Sequence, residues 1–278
     1  MELKFVKMHG LGNDFIVLDL RGRRVRGLTE LIKKLSHRRF GIGFDQALVL
    51  KNSKKADFLM EIYNADGSKV EMCGNGIRCL ANYIWKRRLK RKPTLSIETM
   101  AGIKAVERVK GGLVRVDMGE PILEGSLIPV KKEGLIKDHP LKIRGRTFHI
   151  TCVSMGNPHC VIFVDSVDDF DVARFGPVLE SHSFFPNRTN VEFVEVLNKK
   201  KIKMRVWERG SGETFACGTG ACASAVASHI KGLTQRKVVV YLKGGELLIE
   251  WSRDDNHVYM TGPAEEVFEG TINVKFWR

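Results

Sequence analysis

No stretch of the chain approaches the ~20 consecutive apolar residues that a membrane-crossing helix needs, and the opening MELKFVKMHG has no apolar core of the kind that marks a signal peptide. A cytoplasmic location is the resulting expectation. CxxC pairs and histidines at finger spacing are also missing. The six cysteines (73, 79, 152, 160, 217 and 222) form close pairs only as C-x5-C and C-x4-C. No metal site is therefore expected, and in a reducing compartment the cysteines should be thiols. No Ser-, Pro- or Gly-rich linker divides the chain, which argues for packed lobes rather than beads on a string. Acidic residues are in the minority, 32 against 46 basic, for a formal charge of +14. The densest basic run, KRRLKRK at 86–92, has smaller companions at 21–26 and 199–203, but no nucleic-acid-binding module surrounds any of them. They read as solvated faces, with a nucleic-acid or membrane patch the weaker reading.

What is present is enough for a core: 278 residues, 43% of them hydrophobic, can bury one without cross-links. The chain also repeats itself. MCGNGIRCLA at 72–81 and ACGTGACASA at 216–225 share a Cys-Gly-x-Gly opening, with Cys73 and Cys217 separated by 144 residues. The same offset pairs Asn13 with Asn157, Gln46 with Asn190 and Asn64 with Glu208, and past the helices it slips by one, Gly119 matching Gly262. Polar positions held in one register point to duplication of a whole domain.

β-rich segments precede and follow each Cys-Gly helix: 3–8, 57–62, 102–110 and 113–118 in one half, 147–164, 191–197, 201–208 and 238–241 in the other. Further helices are expected at 28–39, with Thr29 as N-cap, and at 171–181. The order does not alternate βαβ, so the fold class expected is α+β, two pseudo-symmetric lobes of mostly antiparallel strands, each wrapped around a central helix. Residues 1–118 would form the N-terminal lobe and 119–264 its repeat. A last strand at 266–277, in the segment 265–278, would cross back to complete the first lobe, and the active site would lie in the cleft between the two.

Each Cys-Gly-x-Gly precedes a run with helical apolar spacing, Ile77, Leu80, Ala81 and Ile84 in one, Ala221, Ala225 and Val226 in the other. Both sulfurs are thereby placed at helix N-termini, where free N–H groups and the macrodipole favour anions. A thiol of ordinary pKa ~8.5 can be brought below neutrality there, its thiolate then available as base or nucleophile, with one of the two cysteines as thiolate and the other as thiol. The other four cysteines read as buried fillers. Inverting a stereocentre by proton exchange needs one group to take a proton from one face and another to deliver one to the opposite face, and twin lobes supply that pair. A substrate carboxylate gripped by the helix ends would stabilise charge developing at its α-carbon. Differences between the halves are informative as well. Glu208 stands opposite Asn64, Arg209 opposite Ala65, and His159 opposite Phe15. An acid facing an amide suits a substrate ammonium, and Arg209 suits a distal carboxylate, although an exposed Glu208-Arg209 ion pair and a satisfied core His159 are the plainer readings. The amides Asn13, Gln46, Asn64, Asn157 and Asn190 both donate and accept, which suits a zwitterionic ligand.

KMHGLGNDF (7–15), GIGFDQ (41–46), NADGSKVEMCGNGIRC (64–79), GNPHC (156–160), TNVEFV (189–194) and ERGSGETFACGTGACA (208–223) together resemble the diaminopimelate epimerase family across essentially the whole chain. The resemblance implies two similar α+β lobes around a cleft. It also implies cofactor-independent interconversion of LL- and meso-2,6-diaminopimelate in lysine and peptidoglycan precursor biosynthesis. It makes Cys73 and Cys217 the acid and base, and His159 and Glu208 the groups that tune them. Substrate contacts fall to Asn13, Gln46, Asn64, Gly74, Asn75, Asn157, Asn190, Glu208, Arg209, Gly218 and Thr219. A homodimer is implied too, with Phe268 near the contact. The substrate carries no net charge, so it leaves the +14 unexplained. Rival readings are a two-cysteine racemase of the proline racemase kind, a basic nucleic-acid-binding protein, and a thiol redox protein. A small cyclic substrate would leave Arg209 without a distal carboxylate to bind.

Overall fold

The computed structural model describes residues 2–274, which divide into two compact units, 2–116 with 262–274, and 117–261. The first half runs β1 (Glu2–Gly10), β2 (Asn13–Asp19), α1 (Leu28–Ser36), β3 (Gln46–Lys51), β4 (Phe58–Asn64), β5 (Lys69–Val70), α2 (Gly74–Lys86), β6 (Thr94–Thr99), β7 (Gly102–Arg108) and β8 (Val114–Asp117). Successive strands pair antiparallel except for two parallel steps, β2 with β3 and β4 with β6. Helix α2 packs against β1, β2, β3, β4 and β7. Its expected apolar positions Ile77, Leu80, Ala81 and Ile84 are all fully buried. Leu31, Ile32 and Leu35 of α1 share a second cluster with Leu3, Ile16, Leu18 and Val49. Each such side chain taken fully out of water stabilises the fold by ~1.5–3 kcal/mol.

The second half repeats the plan: β9 (His139–Ile143), β10 (Arg146–Ser154), β11 (Pro158–Phe163), α3 (Val172–Glu180), β12 (Asn190–Asn198), β13 (Lys201–Glu208), β14 (Gly212–Thr214), α4 (Gly218–Ile230), β15 (Lys237–Leu242), β16 (Gly245–Trp251) and β17 (Val258–Gly262). The pairing carries the same register as the sequence repeat. Parallel Phe15↔Gln46 has its counterpart in His159↔Asn190, antiparallel Ala47↔Tyr63 in Val191↔Trp207, and parallel Phe58↔Ile97 in Ile202↔Val240. Helix α4 packs against β10, β11, β12, β13, β15 and β16. On the other face α3 joins Phe148, Phe170, Phe175 and Phe193 in one aromatic-rich core. The class is α+β, with a central helix in each unit.

The last strand, β18 (Glu265–Asn273), pairs antiparallel with β1 from Glu2↔Asn273 to His9↔Glu265 and also packs on α2. The end of the expected strand, 275–277, lies outside the described residues. Helix α1 corrects one expectation. It ends at Ser36 rather than 39, because His37 is extended and the chain folds back, Ile42 and Gly43 donating their N–H groups to the Leu35 carbonyl. Its N-cap is Gly27 in the left-handed region rather than Thr29, with no side-chain cap; glycine adopts that conformation without a Cβ clash.

Beside α1, Asp14 accepts hydrogen bonds from Lys7 at 2.5 Å and from both Arg38 guanidinium nitrogens at 2.8 and 2.9 Å. Burial alone would raise this carboxyl, but the bonds from Arg38 and Lys7 outweigh it and hold the pKa at about 2. A folded pKa below the unfolded value stabilises at all pH above the unfolded pKa, and that stability is lost as pH falls toward the folded one. Asp14→Asn is therefore expected to cost on the order of 2 kcal/mol at pH 6, with the gap to the parent narrowing as pH falls through 3.8 toward 2. Urea unfolding at pH 6 and pH 3 checks this, and a gap that does not change would refute it.

Candidate active site

Cys73 and Cys217 are themselves the N-caps of α2 and α4. Both have extended backbone, and each helix is 13 residues long. In each, Sγ accepts the N–H of the third residue on, Gly76 or Gly220, at 3.4 Å. Capping of this kind satisfies one of the donors that a helix start leaves open.

Around Cys73, Asn13 lies at the β1–β2 turn. Its Nδ2 donates to Asp45 Oδ2 at 2.9 Å, which turns Oδ1 toward Cys73 Sγ, at 3.8 Å, and toward Asn75 Nδ2, at 3.3 Å. Asp45 is held in turn by Arg38 at 2.6 Å. On neighbouring strands, Gln46 Nε2 donates to Asn64 Oδ1 at 2.9 Å, and Asn64 donates to Ser68. The structure thus gathers Asn13, Asn75 and Gly74 near Cys73, and joins Gln46 to Asn64.

Around Cys217, Thr219 Oγ1 is 3.5 Å from Sγ and accepts from Asn157 Nδ2 at 3.3 Å. Asn157 Oδ1 is 3.0 Å from His159 Nε2, and His159 Nδ1 is 2.7 Å from Glu192 Oε1. Asn190 Oδ1 accepts the Arg209 N–H at 2.9 Å, while Asn190 Nδ2 donates to the Pro158 carbonyl. The Arg209 guanidinium is exposed, with Nη1 on the Asn187 carbonyl at 3.2 Å. Thr214 donates to Glu208 Oε1 at 2.5 Å. Glu208 and Arg209 are not paired in the described residues; each has its own partner.

Of the two helix-start thiols, one expected as thiolate and one as thiol, Cys217 lies in surroundings that favour the protonated form. Burial pushes its pKa well above the ordinary value, the Glu208 and Glu192 carboxylates push it further, and the bonds from Thr219 and the Gly220 amide only partly offset them. A macrodipole of about half a charge is outweighed by desolvation plus two nearby acids. Burial raises Glu208 as well, against the lowering influence of Thr214 and Cys217. Cys73 is half-exposed. Cys79, Cys152, Cys160 and Cys222 are fully buried thiols outside any disulfide, and burial raises Cys79 to about 12.

Asp45 and Glu192 escaped the sequence reading. Glu192 left a trace, an acid inside an apolar strand whose counterpart at the repeat offset is Leu48. Asp45 left none beyond its place beside Gln46.

Gly220 is required by contact. A Cβ there would come within 2.7 Å of Glu192 Oε1 and 3.3 Å of Cys217 Sγ, whereas at Gly76 the nearest atom is a Leu48 methyl at 2.9 Å. Gly220→Ala is expected to lower kcat at least tenfold through the displaced sulfur and carboxylate, and Gly76→Ala less, since a methyl group gives way more readily. Initial rates of the two folded variants test the order, and equal losses would contradict it.

The family profile described as diaminopimelate epimerase matches residues 5–124 and 151–267, both halves of the chain. The chain is 53% identical over 274 residues to the diaminopimelate epimerase of Moorella thermoacetica, covering 96% of this chain and 98% of that one. It is 50% identical over 277 residues to that of Acetivibrio thermocellus, covering 98% and 99%. Among solved structures it is similar in fold to a Bacillus anthracis phenazine biosynthesis protein of the PhzF family, with TM-score 0.72 and 17% identity over 98% of this chain and 99% of that one. A hydroxyproline epimerase from Agrobacterium vitis gives TM-score 0.69 and 13% identity over 98% and 91%. With both halves matched and about half of all residues shared along nearly the full length, the chain belongs to the diaminopimelate epimerase family.

Proposed function

We propose that this chain is an isomerase that interconverts LL- and meso-2,6-diaminopimelate in lysine and peptidoglycan precursor biosynthesis, with Cys73 and Cys217 exchanging the α-proton. The observation that carries the reading is the pair of capping cysteines, each at the start of a 13-residue helix with Sγ on the amide three residues later. One thiolate takes the α-proton, breaking C–H and forming S–H. The other thiol gives its proton to the opposite face of the carbanion, and the roles exchange on reversal. The proton count balances with the two sulfurs alone. Amides at the starts of α2 and α4, including those of Gly74, Asn75, Gly218 and Thr219, stabilise the charge that develops on the α-carboxylate. Asn13, Gln46, Asn64, Asn157, Asn190 and Glu208 supply the mixed donors and acceptors a zwitterion needs, and the exposed Arg209 takes the distal carboxylate. His159 and Glu208 tune the thiol state.

The reading includes a homodimer through the face around Phe268. This residue and Val267 sit at a bulge of β18, 47% and 55% exposed, with Phe268 edge-on to Phe5, which is more apolar surface than a strand needs to show water. It also includes a cytoplasmic location, in keeping with six cysteines outside any disulfide; no helix among the described residues is long and apolar enough to cross a membrane.

Incubation with LL-diaminopimelate in deuterated water tests the reaction. Deuterium should enter at one α-carbon with inversion there. Inversion that persists when either cysteine is replaced by alanine would refute the two-thiol assignment.

A further inference from the structure

We propose that Glu192 is a positioning residue of the reaction: it anchors a hydrogen-bonded chain, Glu192–His159–Asn157–Thr219–Cys217, that aims a donor at the Cys217 sulfur. The inference rests on reading Cys217 as one of two proton-exchanging thiols.

Glu192 is fully buried on β12, in a stretch from Asn190 to Val194 that is buried throughout. A carboxylate in such a place is costly unless it is bonded. One oxygen, Oε1, meets His159 Nδ1 at 2.7 Å; the other has no hydrogen-bond partner among the described residues. An acid is not needed to build this sheet. At the same register position on β3 stands Leu48, and in place of His159 stands Phe15, both fully buried. Leu48 and Phe15 lie under Gly76 as Glu192 lies under Gly220. The first half is thus a built-in control in which an apolar pair fills the same space.

The polar pair changes how the next residue is presented. In the first half Asp45 claims the NH2 of Asn13, so a carbonyl faces Cys73. In the second, Glu192 Oε1 and Asn157 Oδ1 are both acceptors, so His159 donates from both ring nitrogens, Nδ1–H to Glu192 and Nε2–H to Asn157, with the Glu192 carboxylate balancing the charge of the doubly protonated ring. The NH2 of Asn157 then points away, into Thr219 Oγ1. With that lone pair occupied, the Thr219 hydroxyl hydrogen is left for Cys217 Sγ at 3.5 Å. From His159 Nε2 onward each donor runs toward the sulfur, while Nδ1–H points back to the Glu192 anchor. Such a chain favours the thiolate when Cys217 must take a proton, and opposes the burial and direct charge that push the same thiol upward.

The test follows loss of deuterium to water from substrate deuterated at the reacting α-carbon, for each stereoisomer separately. The isomer whose hydrogen faces Cys217 is the one that still exchanges in Cys73→Ala. Glu192→Gln is expected to lower inversion about 10- to 100-fold and to slow exchange from that isomer alone, leaving exchange from the other within about twofold. In a His159→Asn background Glu192→Gln should add nothing further. A double variant, His159→Phe with Glu192→Leu, copies the first half's packing, so it keeps the fold and should show the same isomer-selective loss. Parallel loss from both isomers, no loss, or faster exchange from the Cys217 side, as the bare charge of Glu192 would predict, would each overturn the proposal. Failure of the two-thiol reading is distinguishable, because exchange from both isomers would then survive Cys217→Ala.

Discussion

Cys217→Ser and Cys73→Ser are each expected to lower epimerisation by about 1000-fold or more while leaving the thermal midpoint nearly unchanged. The reason is that each cysteine performs two tasks with one atom. As an N-cap it accepts a backbone N–H three residues on, a role that serine fills as well as any residue. As an acid–base group it must ionise, and an alcohol does so far less readily than a thiol. The alanine variants lose both roles, so they should be equally inactive and less stable by ~1 kcal/mol. Initial rates with LL-diaminopimelate and thermal melts of the four variants separate the two tasks. A serine variant that keeps a tenth of the parent rate would show that its sulfur is not the proton carrier.

Arg78→Ala is expected to be the most destabilising single change, by about 3 kcal/mol or more. The whole Arg78 residue is fully buried on α2. Its guanidinium donates to the Pro263 carbonyl at 3.1 Å, the Gly74 carbonyl at 3.2 Å and Asn75 Oδ1 at 3.0 Å. Truncation would strand those acceptors and leave a cavity the size of the side chain. It would also free the first turn of α2, which carries Cys73, and the segment leading into β18. Urea unfolding measures the effect; a loss under 1 kcal/mol would mean that water replaces the guanidinium. Arg78→Lys should recover only part, because one ammonium cannot reproduce a planar fork with several donors.

Much of this architecture can be read from spacing. The offset of 144 between the cysteines returns as strand register, in Phe15↔Gln46 against His159↔Asn190, and as helix position, in α1 against α3. Repetition is legible because it needs only one dimension. The position of the cysteines at helix starts was legible too, since Gly-x-Gly before an apolar helical run leaves little choice of start; that each caps its helix with Sγ came from the structure. The protonation of Cys217 was not. It depends on Glu208 and Glu192, which are 9 and 25 residues away in the chain and come near only through the sheet. Asp45 and Glu192 were overlooked for the same reason: an acid's meaning lies in the partner it finds across strands. Thr29 shows the opposite error, a good local cap signal overridden by a glycine two residues earlier.

The pairing of β18 with β1 bears on how the protein is made. A ribosome delivers β1 well before β18, with the whole of 117–261 emerging between them. That middle portion is contiguous and can fold as soon as it leaves the exit tunnel, whereas the opening portion must wait with a bare sheet margin until β18 has been made. Until β18 emerges, then, the newborn chain carries an unpaired hydrogen-bonding edge, and its solubility in that interval depends on the charged side chains along β1 and on whatever chaperone meets it.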